Sequence, residues 1–208
     1  MKPKGQLRII SGEDRGKRLM SPGDDRIRPT SGMAREAIFS ILQDWIPECS
    51  FLDLYAGTGS VGLEALSRGA KTVTLVDSDK AAFPLLQKNI GHMTRSRDCR
   101  LYTQTAQSAC ERFAREEKVF DVIFVDPPYD QPGVPLKLLE PLLAPTGVLL
   151  YQRPLKWAVG NPFKATQLVE YDSRRYGKTT ISFWTFPDNL LDSEEALSES
   201  AVDAESGA

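Results

Sequence analysis

The chain has 208 residues, 41% of them hydrophobic, with 26 Lys/Arg against 28 Asp/Glu. It can bury one sizeable core, and no run approaches the roughly 18 apolar residues that a membrane span requires. Three widely spaced cysteines and a single histidine, His92, exclude a zinc cluster or a disulfide framework. The charged front MKPKGQLRII is too polar for a signal peptide, so a reducing cytoplasm is the expected compartment.

The net charge of −2 conceals a segregation. From Asp188 onward there are seven acids and no Lys or Arg, and setting them aside turns the −2 into +5 for residues 1–187. Residues 1–35 alone hold nine Lys/Arg and four acids. Three segments follow: a basic hairpin and loop over 1–30, a catalytic-size domain over 31–187, and an acidic tail over 188–208 whose composition predicts disorder. A basic front permits an RNA or DNA partner, though a solvated face is the commoner origin of such a surplus.

In chain order, residues 5–20 predict two short strands about a Gly/Glu/Asp turn. A helix opens at Thr30 or Ser31 and carries Ala34, Ala37, Ile38, Ile41, Leu42 and Trp45 at helical spacing. Strands at 51–55, 71–77, 99–103, 119–126 and 147–152 then alternate with helices at 60–68, 80–93, 107–117 and about 135–143. A β-hairpin turning about 172–177 ends the ordered part. This alternation, with apolar strands, predicts an α/β fold: a mostly parallel sheet with helices on both faces, preceded by a small N-terminal hairpin. Such sheets bind ligands beyond the carboxyl ends of their strands, where Asp53, Asp77 and Asp126 fall.

The stretch DLYAGTGSVG sets Gly57, Gly59 and Gly62 in GxGxxG spacing, and Asp77 follows Gly57 by twenty residues at the next strand end. The glycines allow close approach of a ligand, the helix N-terminus favours a negative group, and Asp77 suits two ribose hydroxyls. Any adenosine cofactor meets this description. Asp53, four residues before Gly57, would repel a pyrophosphate and suits a cationic ligand such as S-adenosylmethionine; the loop alone leaves a dinucleotide open.

In VIFVDPPYDQ the strand must stop at Asp126, because prolines follow and hold it extended. The Asp126 carboxylate and the Pro127 carbonyl can each accept one N–H of a planar amine, Pro128 stiffens the turn, and Tyr129 offers a face for a base to stack on. A nucleobase amine presented there must be unpaired or flipped out.

These motifs, with LRIISG, RGKRL, RPTSGMAREAIFSIL, GLEALSRGA and RRYGKTTISFW, resemble the bacterial RsmD-like methyltransferases from about Leu7 to Phe186. The resemblance implies a Rossmann-like class I S-adenosylmethionine-dependent methyltransferase, without metal, that modifies the N2 amine of a guanine in 16S ribosomal RNA. It implies Asp126, Pro127, Pro128 and Tyr129 as the catalytic turn, and Asp53, Tyr55, Gly57, Gly59, Asp77, Ser78, Thr105, Ala106 and Asp126 around the cofactor. It also implies Arg8, Arg15, Lys17, Arg18, Arg28 and Arg35 against RNA and a small-subunit particle as substrate; nothing in the sequence itself demands more than a monomer. The chain departs from the family's pattern at Asp77, where Glu is frequent, at Thr105, where Asp or Asn is frequent, and at Gly32, where an acid is usual. The DPPY motif is shared with adenine-N6 methyltransferases, so DNA or RNA adenine remains the alternative acceptor. A dinucleotide oxidoreductase and a non-catalytic RNA-binding protein are the readings outside the class.

Overall fold

A computed structural model describes residues 7–21, 32–128, 131, 133–154, 163–164, 166–177 and 179–190. Arg28, Tyr129 and the tail beyond Leu190 lie outside the described residues. The elements are α1 (Gly32–Ile41), β1 (Ser50–Leu54), α2 (Ser60–Ser67), β2 (Thr72–Asp77), α3 (Phe83–Gly91), β3 (Cys99–Thr103), α4 (Ala106–Arg115), β4 (Phe120–Val125), α5 (Leu136–Leu139), β5 (Leu143–Pro154), β6 (Val169–Tyr176) and β7 (Thr179–Thr185).

The seven strands form one sheet in the order β3-β2-β1-β4-β5-β7-β6. The first five are parallel neighbours, and β7 inserts antiparallel between β5 and β6. Because β1 pairs with both β2 and β4, the order reverses at β1, which makes its carboxyl end the switch point. Alternate strand residues feed two cores. Phe51, Leu75, Phe124 and Leu150 meet Ile38, Phe39, Leu63 and Leu86 of α1 to α3 on one face. On the other, Leu54, Val76, Ile123 and Tyr151 meet Cys110 and Phe113 of α4 and Leu136 and Leu139 of α5.

Three elements differ from the sequence expectation. The first helix ends at Ile41, although Ile38, Leu42 and Ile46 keep their four-residue spacing in the core; Pro47 disfavours helical backbone at Ile46, and Trp45 is exposed. The helix expected near 135–143 is a single turn followed by a 3-10 turn at Glu140–Leu142, where Pro141 removes a donor. The N-terminal hairpin has only an isolated bridge, Arg8 to Arg18, instead of two strands.

The hairpin's main chain is occupied elsewhere. Ile10 and Ser11 donate to the two carboxylate oxygens of Glu64 at 2.7 and 2.9 Å, and Asp14 donates to Ser67 Oγ at 3.0 Å. Met20 donates to Asn89 Oδ1 at 2.7 Å, while Ile9 and Leu19 enter the core.

Candidate active site

Strand register assembles the site. Leu54 lies level with Val76 on one side and Val125 on the other, so Asp77 and Asp126 flank the end of β1 one residue further on. Two strand spacings put their backbones about 10 Å apart. Tyr55, between them, has φ 69°, a left-handed conformation that costs a non-glycine residue about 1–2 kcal/mol.

Gly57 and Gly59 continue the turn with φ 55° and 77°. A Cβ on Gly59 would stand 2.5 Å from Leu86 Cδ1, so position and conformation both require glycine there. Gly62 has a packing role: its missing Cβ makes room for Leu75 and Val73. Asn89, fully buried on α3, donates to the Thr58 carbonyl at 2.9 Å and so ties the loop to the helix behind it.

The Gly57 amide donates to Asp77 Oδ2 at 2.6 Å and the Asp79 amide to Oδ1 at 2.8 Å. Asp77 therefore braces the loop and still has lone pairs for further donors, with Ser78 exposed beside it. Asp53 is 2% exposed, and its Oδ2 accepts from Gly62 at 2.9 Å, capping the first turn of α2 from the strand below. Burial pushes its carboxyl up to about 8, opposed by the Gly62 bond and reinforced by Asp126 and Asp77. Asp53 thus acts on the loop from beneath it, as the acceptor that fixes the start of α2.

Asp126 leaves β4 half-buried, Pro127 is buried and Pro128 exposed. Behind this turn, the Tyr151 hydroxyl donates to the Val134 carbonyl at 3.1 Å, and the Val134 main chain also bonds the Tyr55 hydroxyl. A Cβ on Gly133 would fall 1.7 Å from Tyr151 Oη and 3.2 Å from Pro127 Cγ. Tyr151 and Gly133 are supports that sequence reasoning missed; no local pattern marks a tyrosine on β5 as a neighbour of the Pro127 turn.

At the end of β3, Thr105 is the N-cap of α4, its Oγ1 accepting from Ser108 at 3.2 Å, and Ala106 begins the helix. Thr105 is thereby committed to the helix, while the neighbouring Gln104 has a buried Nε2 without a partner. Its amide, which the sequence reading also missed, is the polar group left over at this strand end.

The basic front is less available than its composition suggested. Lys17 Nζ donates to the His92 carbonyl at 2.9 Å and to Thr94 Oγ1 at 3.0 Å, and pairs with Asp14 at 2.5 Å. Together with Arg15 it sits at a hairpin tip bound to the C-terminal ends of α2 and α3, the ends remote from the glycine loop. Arg8 Nη1 donates to the Gly16 carbonyl within the hairpin, and Arg18 is exposed. Arg35 corrects the sequence expectation. Its side chain is 2% exposed, lies 3.7 Å from Glu64 and bonds the Arg8 carbonyl, so it fastens α1 to the hairpin and is not open to RNA.

A sheet in this order, with acids at adjacent strand ends around a glycine turn, defines a Rossmann-like methyltransferase fold. The structure is similar to the solved putative methyltransferase yhhF from Escherichia coli (TM-score 0.73, 28% identity, 86% of this chain and 97% of that one). It is also similar to the putative methylase HI0767 from Haemophilus influenzae (TM-score 0.64, 25% identity, 86% and 98%).

The chain belongs to the family described as conserved hypothetical protein 95, whose model matches residues 7–185. Among curated relatives, ribosomal RNA small subunit methyltransferase D of Escherichia coli K12 is 38% identical over 125 residues, 60% of this chain and 61% of that protein. The putative rRNA methyltransferase YlbH of Bacillus subtilis is 34% identical over 125 residues, 60% of this chain and 68% of that protein. The match with the Escherichia coli protein thus spans less than two thirds of its length. Among the described residues no helix is long and apolar enough to cross a membrane.

Proposed function

We propose that this chain transfers a methyl group from S-adenosylmethionine to the exocyclic N2 amine of a guanine in small-subunit ribosomal RNA. The observation that carries the reading is the flanking of β1 by Asp77 and Asp126. A nucleoside whose ribose is held at Asp77 can extend across the switch point toward Asp126 and Pro127. The relatives' names supply the RNA class.

The residues present fit the cofactor. Residues 53–67 contain no Lys or Arg to offset a pyrophosphate, and the acids around the loop suit a ligand that bears an ammonium and a sulfonium. Asp77 would hold the ribose, Gly57 and Gly59 admit the chain of atoms beside them, and Gln104 stands at the strand end beyond. When bound, S-adenosylmethionine supplies an electrophilic methyl carbon.

The protein's part is orientation and charge. Asp126 and the Pro127 carbonyl accept the two N–H groups of the amine, which fixes its plane and favours positive charge on nitrogen as the new bond forms. The proton is then lost to water, so no histidine is required. In this reading residues 31–187 form the methyltransferase unit, 1–30 its RNA-facing extension and 188–208 an acidic appendage. One copy carries the whole site, and we take the active unit to be a monomer in the cytoplasm, acting on an assembled or assembling subunit.

Labelled S-adenosylmethionine incubated with unmethylated small subunits, followed by digestion to nucleosides, tests the reading. Label in N2-methylguanosine that Asp126→Ala abolishes, with cofactor binding retained, is the expected result. Label in N6-methyladenosine would overturn the acceptor, and absence of label on particles and free RNA would overturn the activity.

A further inference from the structure

The carboxyl edge of the sheet changes sign across β4. From β2 to β4 it carries Asp77 and Asp126, a stretch that would repel a ribose-phosphate chain. The hairpin tip is at the far end of α2 and α3, Lys17 is internally bonded and Arg35 is buried. A polyanionic substrate therefore needs cations nearer the Asp126 turn, and the strands on its other side provide them.

The register places them. β4 ends with Val125 level with Tyr151, two residues before Arg153, so β5 continues past the point where the Asp126 turn leaves the sheet. Arg153 pairs with Thr180, and Thr180 pairs with Arg175. Arg153, Thr180 and Arg175 thus form one row across three strands, and two strand spacings make it about 10 Å long, starting on the strand next to the Asp126 turn. Tyr151 and Trp184, on the face shared with α4 and α5, are each a whole number of two-residue steps from Arg153 and Thr180, so the row's side chains share that face.

The two arginines are suited to phosphate. Arg153 is aimed by its neighbours: Nε donates to Ser182 Oγ at 3.2 Å and the guanidinium lies 5.8 Å from the Phe163 ring. Its nearest acid, Glu170, is 3.9 Å away, at the outer limit of an ion pair. Arg175 is exposed, and its Nε donates to the Gly177 carbonyl at 3.0 Å. Among the described residues no acid pairs with it. Arg174, on the opposite face, is paired with Asp172 at 2.7 Å and serves as the control.

We propose that Arg153 and Arg175 hold phosphates on one flank of the target nucleotide, so that the RNA strand leaves the Asp126 turn across β5, β7 and β6. This rests on the reading of the site as an RNA methyltransferase, and it names the track its substrate follows.

Two measurements on the full chain separate the inference from that reading. In the first, binding of a fluorescent single-stranded RNA oligonucleotide is followed against salt for wild type, Arg153→Gln, Arg175→Ala and Arg174→Ala. Arg153→Gln and Arg175→Ala are each expected to weaken binding about two- to fivefold and to lower the salt slope by about 0.7, with Arg174→Ala at wild-type values. In the second, the same variants methylate small subunits with raised KM, near-normal kcat and unchanged S-adenosylhomocysteine affinity by calorimetry. Wild-type binding and salt slope in both variants would overturn the track, whether or not wild type methylates. Absence of methylation with the binding losses intact would overturn the function and leave the RNA surface standing. A loss caused by unfolding would appear as a lowered Tm and a lost calorimetric signal, in which case Arg175→Ala, at an exposed hairpin end, decides alone.

Discussion

The Gly57 amide donates to Asp77 Oδ2 at 2.6 Å, so the acid proposed to hold a ribose is also the brace of the glycine loop. Loss of Asp77 should therefore act twice. Asp77→Ala is expected to weaken S-adenosylhomocysteine binding by about 1.5–3 kcal/mol, the range for hydrogen bonds to a charged group, which is roughly 10- to 100-fold. Asp77→Asn retains one oxygen for Gly57 and should lose less. Calorimetric titration of the two variants measures the difference; equal losses would remove the bracing role.

Asp53 makes the fold pH-sensitive. Unfolded, its carboxyl releases its proton near 3.8; folded, burial holds the proton to about 8. Between those values the native state binds more protons, so this group's contribution to stability falls as pH rises from about 4 to 8 and levels off above. Asp53→Asn, which keeps an acceptor for Gly62, should abolish that fall in denaturant titrations at pH 5.5, 7 and 8. Binding of an ammonium-bearing cofactor at pH 7 should also expel the proton, seen as a dependence of calorimetric heat on buffer ionisation that the variant lacks.

Glu64 is fully buried and accepts from Ile10, Ser11 and Arg68 while lying 3.7 Å from Arg35. Removing one partner of such a cluster strands the others. Glu64→Ala is expected to cost about 3–5 kcal/mol, which lowers Tm by on the order of 10 °C in a domain of this size. Hydrogen exchange at Ile10 and Ser11 should accelerate well beyond the core amides; uniform acceleration would mean that the hairpin and core unfold as one.

Gly133 sits between Tyr151 Oη and the Pro127 ring. Gly133→Ala should force the tyrosine or the proline aside, costing about 1–3 kcal/mol and lowering kcat while cofactor affinity holds. Adding Tyr151→Phe removes the atom in closest conflict and should restore part of the loss. If the double variant is worse than the single, the clash is not what displaces the turn.

The sequence made the strand ends legible because they are written locally. Apolar β-branched runs stop at Asp77 and at Asp126-Pro127, and the glycine spacing marks the turn between β1 and α2. The helices were less legible where a proline intervened, as at Pro47 and Pro141, since periodicity registers core positions and not hydrogen bonds. What stayed hidden was polar and long-range. No local pattern marks Glu64 or Asn89, because their partners lie 54 and 69 residues away on the hairpin. Arg35 failed as an RNA contact for the same reason, because the acid that buries it lies on another helix.

The attachment of the hairpin has a consequence for how such a protein can change. Five of its amides, those of Ile10, Ser11, Glu13, Asp14 and Met20, bond to Glu64, Ser67 and Asn89, so the domain grips the segment largely by its backbone. The side chains that hold it are the apolar Leu7, Ile9 and Leu19, and Asp14 and Lys17, which reach Thr94 and the His92 carbonyl. The segment is therefore exchangeable at its attachment: a hairpin grafted from a homologue supplies the same main-chain donors whatever its side chains, and should dock on Glu64, Ser67 and Asn89 without disturbing the sheet behind them.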